Sequence, residues 1–135
     1  MASKQKLKVF IADDSAFIRE RLPAMLSEIP GIEVVGQAKN GAEALDSIRA
    51  LNPDVVILDI RMPGKTGIEV LHELKKDKPA PVVIMLTNYP YPQYKKKCLG
   101  LGADFFFDKS TDFDKLFDVL KELSQTVGKR GMVPQ

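Results

Sequence analysis

The sequence predicts an α/β fold with a parallel sheet, on three observations. Five short runs rich in β-branched residues alternate with five stretches of helical spacing, the order that a parallel sheet with crossover helices produces. The first, third and fourth of those runs are almost continuously apolar, as strands covered on both faces are. A length of 135 residues, 44% hydrophobic and 28% charged, is the size and make-up of one globular domain.

Each element has its own signal. Leu7–Ala12 reads as the first strand. Ser15 is placed to cap the helix that follows, whose stripe is Ile18, Leu22, Met25 and Ile29. Pro23 lies inside that stripe and removes one helical hydrogen bond, but the apolar spacing continues on both sides, so the helix is kept with an expected kink. Ile32–Ala38 is the second strand, and Glu33 and Gln37 mark it as an edge. Asn40-Gly41 turns the chain into a helix with Ala42, Leu45, Ile48 and Leu51 on one face, and Asn52-Pro53 ends it. Asp54–Leu58 is the third strand, followed by a helix through Ile68, Leu71 and Leu74. The connector Lys78-Pro79-Ala80-Pro81 stiffens the entry to the fourth strand, Val82–Thr87. A fourth helix carries Tyr94, Cys98 and Leu101. Asp104–Phe107 is the fifth strand. Asp112 is placed to cap a last helix with Phe113, Leu116, Phe117, Leu120 and Leu123. Residues 6–127 are the expected domain, and 1–5 and 128–135 the expected flexible tails.

Composition removes several function classes. A single cysteine, Cys98, excludes an intramolecular disulfide framework and a Cys-rich zinc site, and fits a reducing cytoplasm. One histidine, His72, leaves no His cluster for a transition metal and reads as a surface residue. A net charge of +2 is too small to argue for nucleic acid. Apolar runs such as Val55–Leu58 and Val82–Leu86 fall far short of the ~20 residues that a bilayer span needs. The glycines form no GxGxxG turn after the first strand, which disfavours a dinucleotide site. The Lys95-Lys96-Lys97 run reads as a solvated helix face, with a partner patch as the alternative.

In an open parallel sheet, sites form where the chain leaves the carboxyl ends of the strands. Those ends carry Asp13-Asp14, Asp59, Thr87 and Lys109. An aspartate after a strand is often only a turn former, and Asp14 on its own fits that role. Asp59 follows Val55-Val56-Ile57-Leu58 directly and precedes Ile60, which a turn former alone does not explain. Three converging carboxylates repel one another and call for a cation. Mg²⁺ suits a site made of oxygens alone, and Lys109 adds a second positive charge.

These residues sit in four ordered segments: Val9-Phe10-Ile11-Ala12-Asp13-Asp14-Ser15; Pro53-Asp54-Val55-Val56-Ile57-Leu58-Asp59-Ile60-Arg61-Met62-Pro63-Gly64; Val83-Ile84-Met85-Leu86-Thr87; and Leu101-Gly102-Ala103-Asp104-Phe105-Phe106-Phe107-Asp108-Lys109. From about Lys6 to Leu123 the chain resembles a receiver domain of the two-component response regulator family, of the stand-alone, chemotaxis-regulator type. The resemblance implies a doubly wound, flavodoxin-like sheet in the order 2-1-3-4-5. It implies that Asp59 accepts a phosphoryl group from a phosphohistidine on a sensor histidine kinase or histidine phosphotransfer protein. Asp14, Asp59 and the Arg61 backbone carbonyl would bind Mg²⁺, with Asp13 acting through a water. Lys109 would neutralise phosphoryl charge, Thr87 would bond the phosphoryl group, and Phe106 would be the aromatic switch. The signal would leave through the fourth helix, fifth strand and fifth helix to a downstream protein. The chain would catalyse only its own phosphorylation and dephosphorylation.

Two departures stand out. Asn88-Tyr89-Pro90-Tyr91-Pro92 follows the switch threonine, where the family prefers a small residue, and its bulk narrows the path of an attacking water. Ser110 follows Lys109 where the family often has proline. Two other classes compete. A phosphatase of the haloacid dehalogenase type also uses a strand-end aspartate, but it wants an acid two residues later, where Arg61 stands, and a cap domain that does not fit this length. A pseudo-receiver that only binds partners would not need Asp59, Thr87 and Lys109 together. The chain stops shortly after the fifth helix, so no output domain is expected within it.

Overall fold

The computed structural model describes residues 6–127; the expected tails, 1–5 and 128–135, lie outside the described residues. Strands β1 (Leu7–Ala12), β2 (Ile32–Ala38), β3 (Val55–Leu58), β4 (Val82–Thr87) and β5 (Phe105–Asp108) alternate with helices α1 (Ala16–Leu26), α2 (Gly41–Leu51), α3 (Gly67–Leu74), α4 (Pro92–Gly100) and α5 (Phe113–Val127). The strands form one sheet in the order β2-β1-β3-β4-β5, and every pairing is parallel. The doubly wound, flavodoxin-like fold is therefore present as expected, with β2 at an edge.

Side chains alternate across the sheet and build two apolar layers. Phe10, Val56, Leu58, Val83 and Met85 face α2, α3 and α4, where Ala44, Leu45, Ile48, Val70, Leu71, Leu74 and Cys98 cover them. Val9, Ile11, Ile57, Ile84 and Leu86 face α1 and α5, covered by Ile18, Leu22, Leu26, Leu116 and Leu120. In β5, Phe105 and Phe107 join the second layer and Phe106 the first.

The helix faces differ in detail from their sequence stripes. α1 runs through Pro23 but ends at Leu26, where the Ser27 N–H donates to the Pro23 and Met25 carbonyls. Leu26 is buried in place of Met25, which is exposed, and Ile29 lies past the helix end. In α2 the buried set is Gly41, Ala44, Leu45 and Ile48, while Ala42 and Leu51 face solvent. In α4 only Cys98 is fully buried. Caps at Ser15 and Asn40 are as expected, their side chains accepting from Ile18 N and Glu43 N. Asp112 is different: its carboxylate turns back to accept from Asp108 N and Thr111 Oγ1, so it secures the end of β5 rather than capping α5 through its side chain. At the amino-terminal edge of the sheet, Lys75 Nζ donates to Pro81 O at 2.9 Å and to Asp104 Oδ2 at 2.8 Å. That same carboxylate oxygen accepts from Val83 N.

Candidate functional site

The carboxyl ends of β1, β3, β4 and β5 meet in one crevice because parallel pairing aligns them. Asp59 N donates to Ala12 O, setting the residue after β3 beside the end of β1. Asp13 N donates to Ala38 O, and Lys109 N donates to Thr87 O. Asp13 is 2% exposed, Asp59 5%, Thr87 0% and Lys109 9%. Among the described residues these four are the buried polar or charged side chains. Burying charge is costly unless it is paired, so a fold that concentrates all of it at one point has built a site there.

The pairing is direct. Lys109 Nζ lies 2.7 Å from Asp13 Oδ2 and 3.1 Å from Asp59 Oδ2. The other Asp59 oxygen, Oδ1, accepts from Ile60 N at 2.7 Å, and Asp13 Oδ1 accepts from Ser15 N at 2.9 Å. Burial and the neighbouring Asp13 charge push the Asp59 carboxyl up to about 6, against the pull of Lys109. Burial alone would lower the Lys109 ammonium, but its bonds to Asp13 and Asp59 outweigh that and raise it. Lys109, expected as a second positive charge beside the carboxylates, bridges Asp13 and Asp59 directly. Asp14 is exposed, so crowding is between Asp13 and Asp59.

Carboxylate oxygens of Asp13, Asp14 and Asp59 nevertheless lie within 4.8 Å of one another. Hard oxygen donors at that spacing fit Mg²⁺, which takes one or two carboxylates and keeps several waters.

The loop after β3 is held close. Gly67 N donates to Ile60 O at 2.8 Å, and a Cβ on Gly67 would sit 1.8 Å from Asp59 O. Only glycine permits that approach. Gly67 is not among the residues that the strand ends single out; its place eight residues after Asp59, at the start of a helical stripe, is the signal for it. Thr87 Oγ1 accepts from Tyr89 N at 3.0 Å. The Arg61 guanidinium lies 4.0 Å from the centre of the Tyr89 ring and donates to Tyr94 Oη at 3.5 Å, at the outer limit of a hydrogen bond. Helical spacing alone places Tyr94 in a core stripe, whereas its hydroxyl meets Arg61. Phe106, Tyr94 and Leu101 are half-buried and pack against the first apolar layer, of which the buried Cys98 is a member. His72 and Lys95–Lys97 are exposed, as expected.

The response regulator receiver domain sequence model matches residues 9–121. Protein-glutamate methylesterase/protein-glutamine glutaminase 1 of Carboxydothermus hydrogenoformans is 44% identical over 119 residues, spanning 87% of this chain and 35% of that protein. Against methylesterases of this kind the chain covers between 24% and 36% of their length. Among solved structures, the response regulator domain of Thermotoga maritima CheB superposes with a TM-score of 0.79 at 32% identity, over 97% of this chain and 100% of that one. The CheX–CheY–BeF₃–Mg²⁺ complex from Borrelia burgdorferi gives 0.78 at 31% identity, over 88% of this chain and 90% of the matched one. Among the described residues no helix is long and apolar enough to cross a membrane.

Proposed function

The chain belongs to the response regulator receiver domain family, and from that premise we propose that it accepts a phosphoryl group on Asp59 from a phosphohistidine of a sensor kinase or phosphotransfer protein. The observation that carries this is the convergence of Asp13, Asp59, Thr87 and Lys109 as the buried polar side chains among the described residues. An Asp59 oxygen attacks phosphorus, the P–N bond to the donor imidazole breaks, and that imidazole keeps the electron pair. With a carboxyl at about 6, Asp59 is largely ionised at neutral pH and needs no general base. Asp14, Asp59 and the Arg61 carbonyl would hold Mg²⁺, with Asp13 acting through a water. When bound, the ion supplies positive charge against the phosphoryl oxygens. Lys109, already 3.1 Å from Asp59, supplies the protein's own.

Output follows from the groups touching the site. The Thr87 hydroxyl accepts from Tyr89 N and keeps its proton to donate to a phosphoryl oxygen. Drawn that way, it frees space for the Phe106 ring, which changes the face formed by α4, β5 and α5. A downstream protein reads that face. The similarity to methylesterases favours, as a second reading, a partner or a linked unit of that activity. A small acyl phosphate donor with Mg²⁺ should add one phosphate by intact mass, lost on chelation. Equal labelling of Asp59→Ala would overturn the assignment.

A further inference from the structure

The polar groups around Lys109 form a closed clasp that the phosphoryl chemistry above does not use. Asp108 Oδ1 accepts from Ser110 N at 2.8 Å and from Ser110 Oγ at 2.7 Å. Asp112 Oδ2 accepts from Asp108 N at 2.9 Å, and Asp112 N donates to Asp108 O at 2.9 Å. Thr111 N reaches the same carbonyl at 3.3 Å. Lys109 lies between the clasped residues, and its own N–H is fixed on Thr87 O. We propose that Asp108, Ser110 and Asp112 are positioning residues: they lock the backbone on both sides of Lys109 and so set where its ammonium stands over Asp59.

The geometry makes the backbone decisive. A lysine side chain has four rotatable carbons, and its head is placed well only when its root is fixed. Two partners only 2.7 and 3.1 Å from Nζ leave little slack, and small displacements of a group that stabilises transferring charge cost rate steeply. The clasp carboxylate is held ionised, below the usual carboxylate range, by the Ser110 hydroxyl and amide, so its acceptor role persists near neutral pH. Ser110 is exposed and Asp108 half-buried, which places the clasp outside the core.

The inference rests on the proposed phosphoryl transfer to Asp59, and the test separates the two. Phosphorylation by acetyl phosphate at saturating Mg²⁺ is followed by intact mass, and Mg²⁺ affinity is measured by calorimetry. Asp108→Ala should slow phosphorylation about tenfold while Mg²⁺ affinity stays within about twofold, because the Asp13, Asp14 and Asp59 oxygens are untouched. Asp108→Asn keeps the Oδ1 acceptor and should recover most of the rate. Ser110→Ala, which deletes one bond at an exposed hydroxyl, should show the same split with a smaller loss, and decides the matter if Asp108→Ala folds poorly. Wild-type rates in both alanine variants, or rate and Mg²⁺ affinity falling together, would overturn the clasp. A wild-type protein that takes up no phosphate would overturn the underlying reading instead.

Discussion

Helices α3 and α4 follow the neighbouring strands β3 and β4 and are moored in opposite ways. α3 begins with a capping box, Thr66 Oγ1 accepting from Glu69 N and Glu69 Oε1 accepting from Thr66 N. It buries Gly67, Val70, Leu71 and Leu74 within eight residues. α4 follows Tyr91, whose side chain makes no cap hydrogen bond, and Cys98 is its buried residue. The loop before α3 carries Asp59, the proposed phosphoacceptor; the loop before α4 carries the neighbours of Thr87, the proposed switch. Chemistry needs atoms held within fractions of an ångström, whereas readout needs an element whose position is cheap to change. On the proposed function, the contrast between the two helices is that division made in packing.

The strongest way to break the comparison is Gly67→Ala. A methyl 1.8 Å from Asp59 O must push apart two backbones that are packed and bonded, and urea unfolding should show a loss of about 3 kcal/mol or more. A loss under about 1 kcal/mol would mean that α3 slides readily, and the contrast with α4 would fail. The fixed loop also denies Asp59 an escape from Asp13. Its carboxyl titrates near 6 in the folded protein against 3.8 unfolded, so the folded state binds the extra proton between those values. The Asp59 contribution to metal-free stability should therefore be full below pH 4 and be lost, on the order of 2 kcal/mol, as pH rises through about 6. Asp59→Asn should flatten that slope, and an unchanged slope would place the titration elsewhere.

Smaller effects sharpen the picture. Thr66→Ala, which removes the capping box, should cost about 1 kcal/mol in the same unfolding assay; no loss would show that the cap does not hold α3. Replacing Asn88 and Tyr89 together with alanine strips the ring from Arg61. Loss of phosphate should then quicken about threefold, matching the ~0.5–1 kcal/mol of one exposed cation–π contact. A slower or equal rate would remove shielding by that pair. Gly100→Ala should have the opposite sign to Gly67→Ala. Nothing lies within 4 Å of its added Cβ, so α4 should gain about 0.5 kcal/mol, and a loss would reveal a contact that α4 depends on.

What could be read beforehand divides along physical lines. Strand positions were legible because both faces are covered, which forces continuous apolar runs, and the strand-end residues followed from parallel order. The helix faces were less so. Two registers of the α1 stripe, through Met25 or through Leu26, satisfy the same spacing, and only the early end of the helix at Ser27 selects the second. Asp112 has the cap residue at the cap position, yet its carboxylate finds the Asp108 amide first. The Gly67 contact depends on two segments meeting in space, which no local pattern encodes. Lys109 was expected to meet phosphoryl charge; that it already bridges Asp13 and Asp59 depends on side-chain reach, not on spacing.

At the amino-terminal ends of the strands, opposite the crevice, a staple fixes where β4 and β5 begin. Lys75 ties the carbonyl of Pro81 to Asp104, whose carboxylate takes the Val83 amide, so β4 and β5 are pinned to each other where they begin. At about 3.3 Å per residue, Thr87 stands roughly 16 Å along β4 from Val82. With its near end clamped, a strand of that length would answer the proposed pull on Thr87 by tilting rather than by sliding. On the proposed switch, a tilt of a few degrees would move the far end by roughly 1 Å over that length and leave the clamped end in register, which would confine the travel to the crevice and the helix beside it.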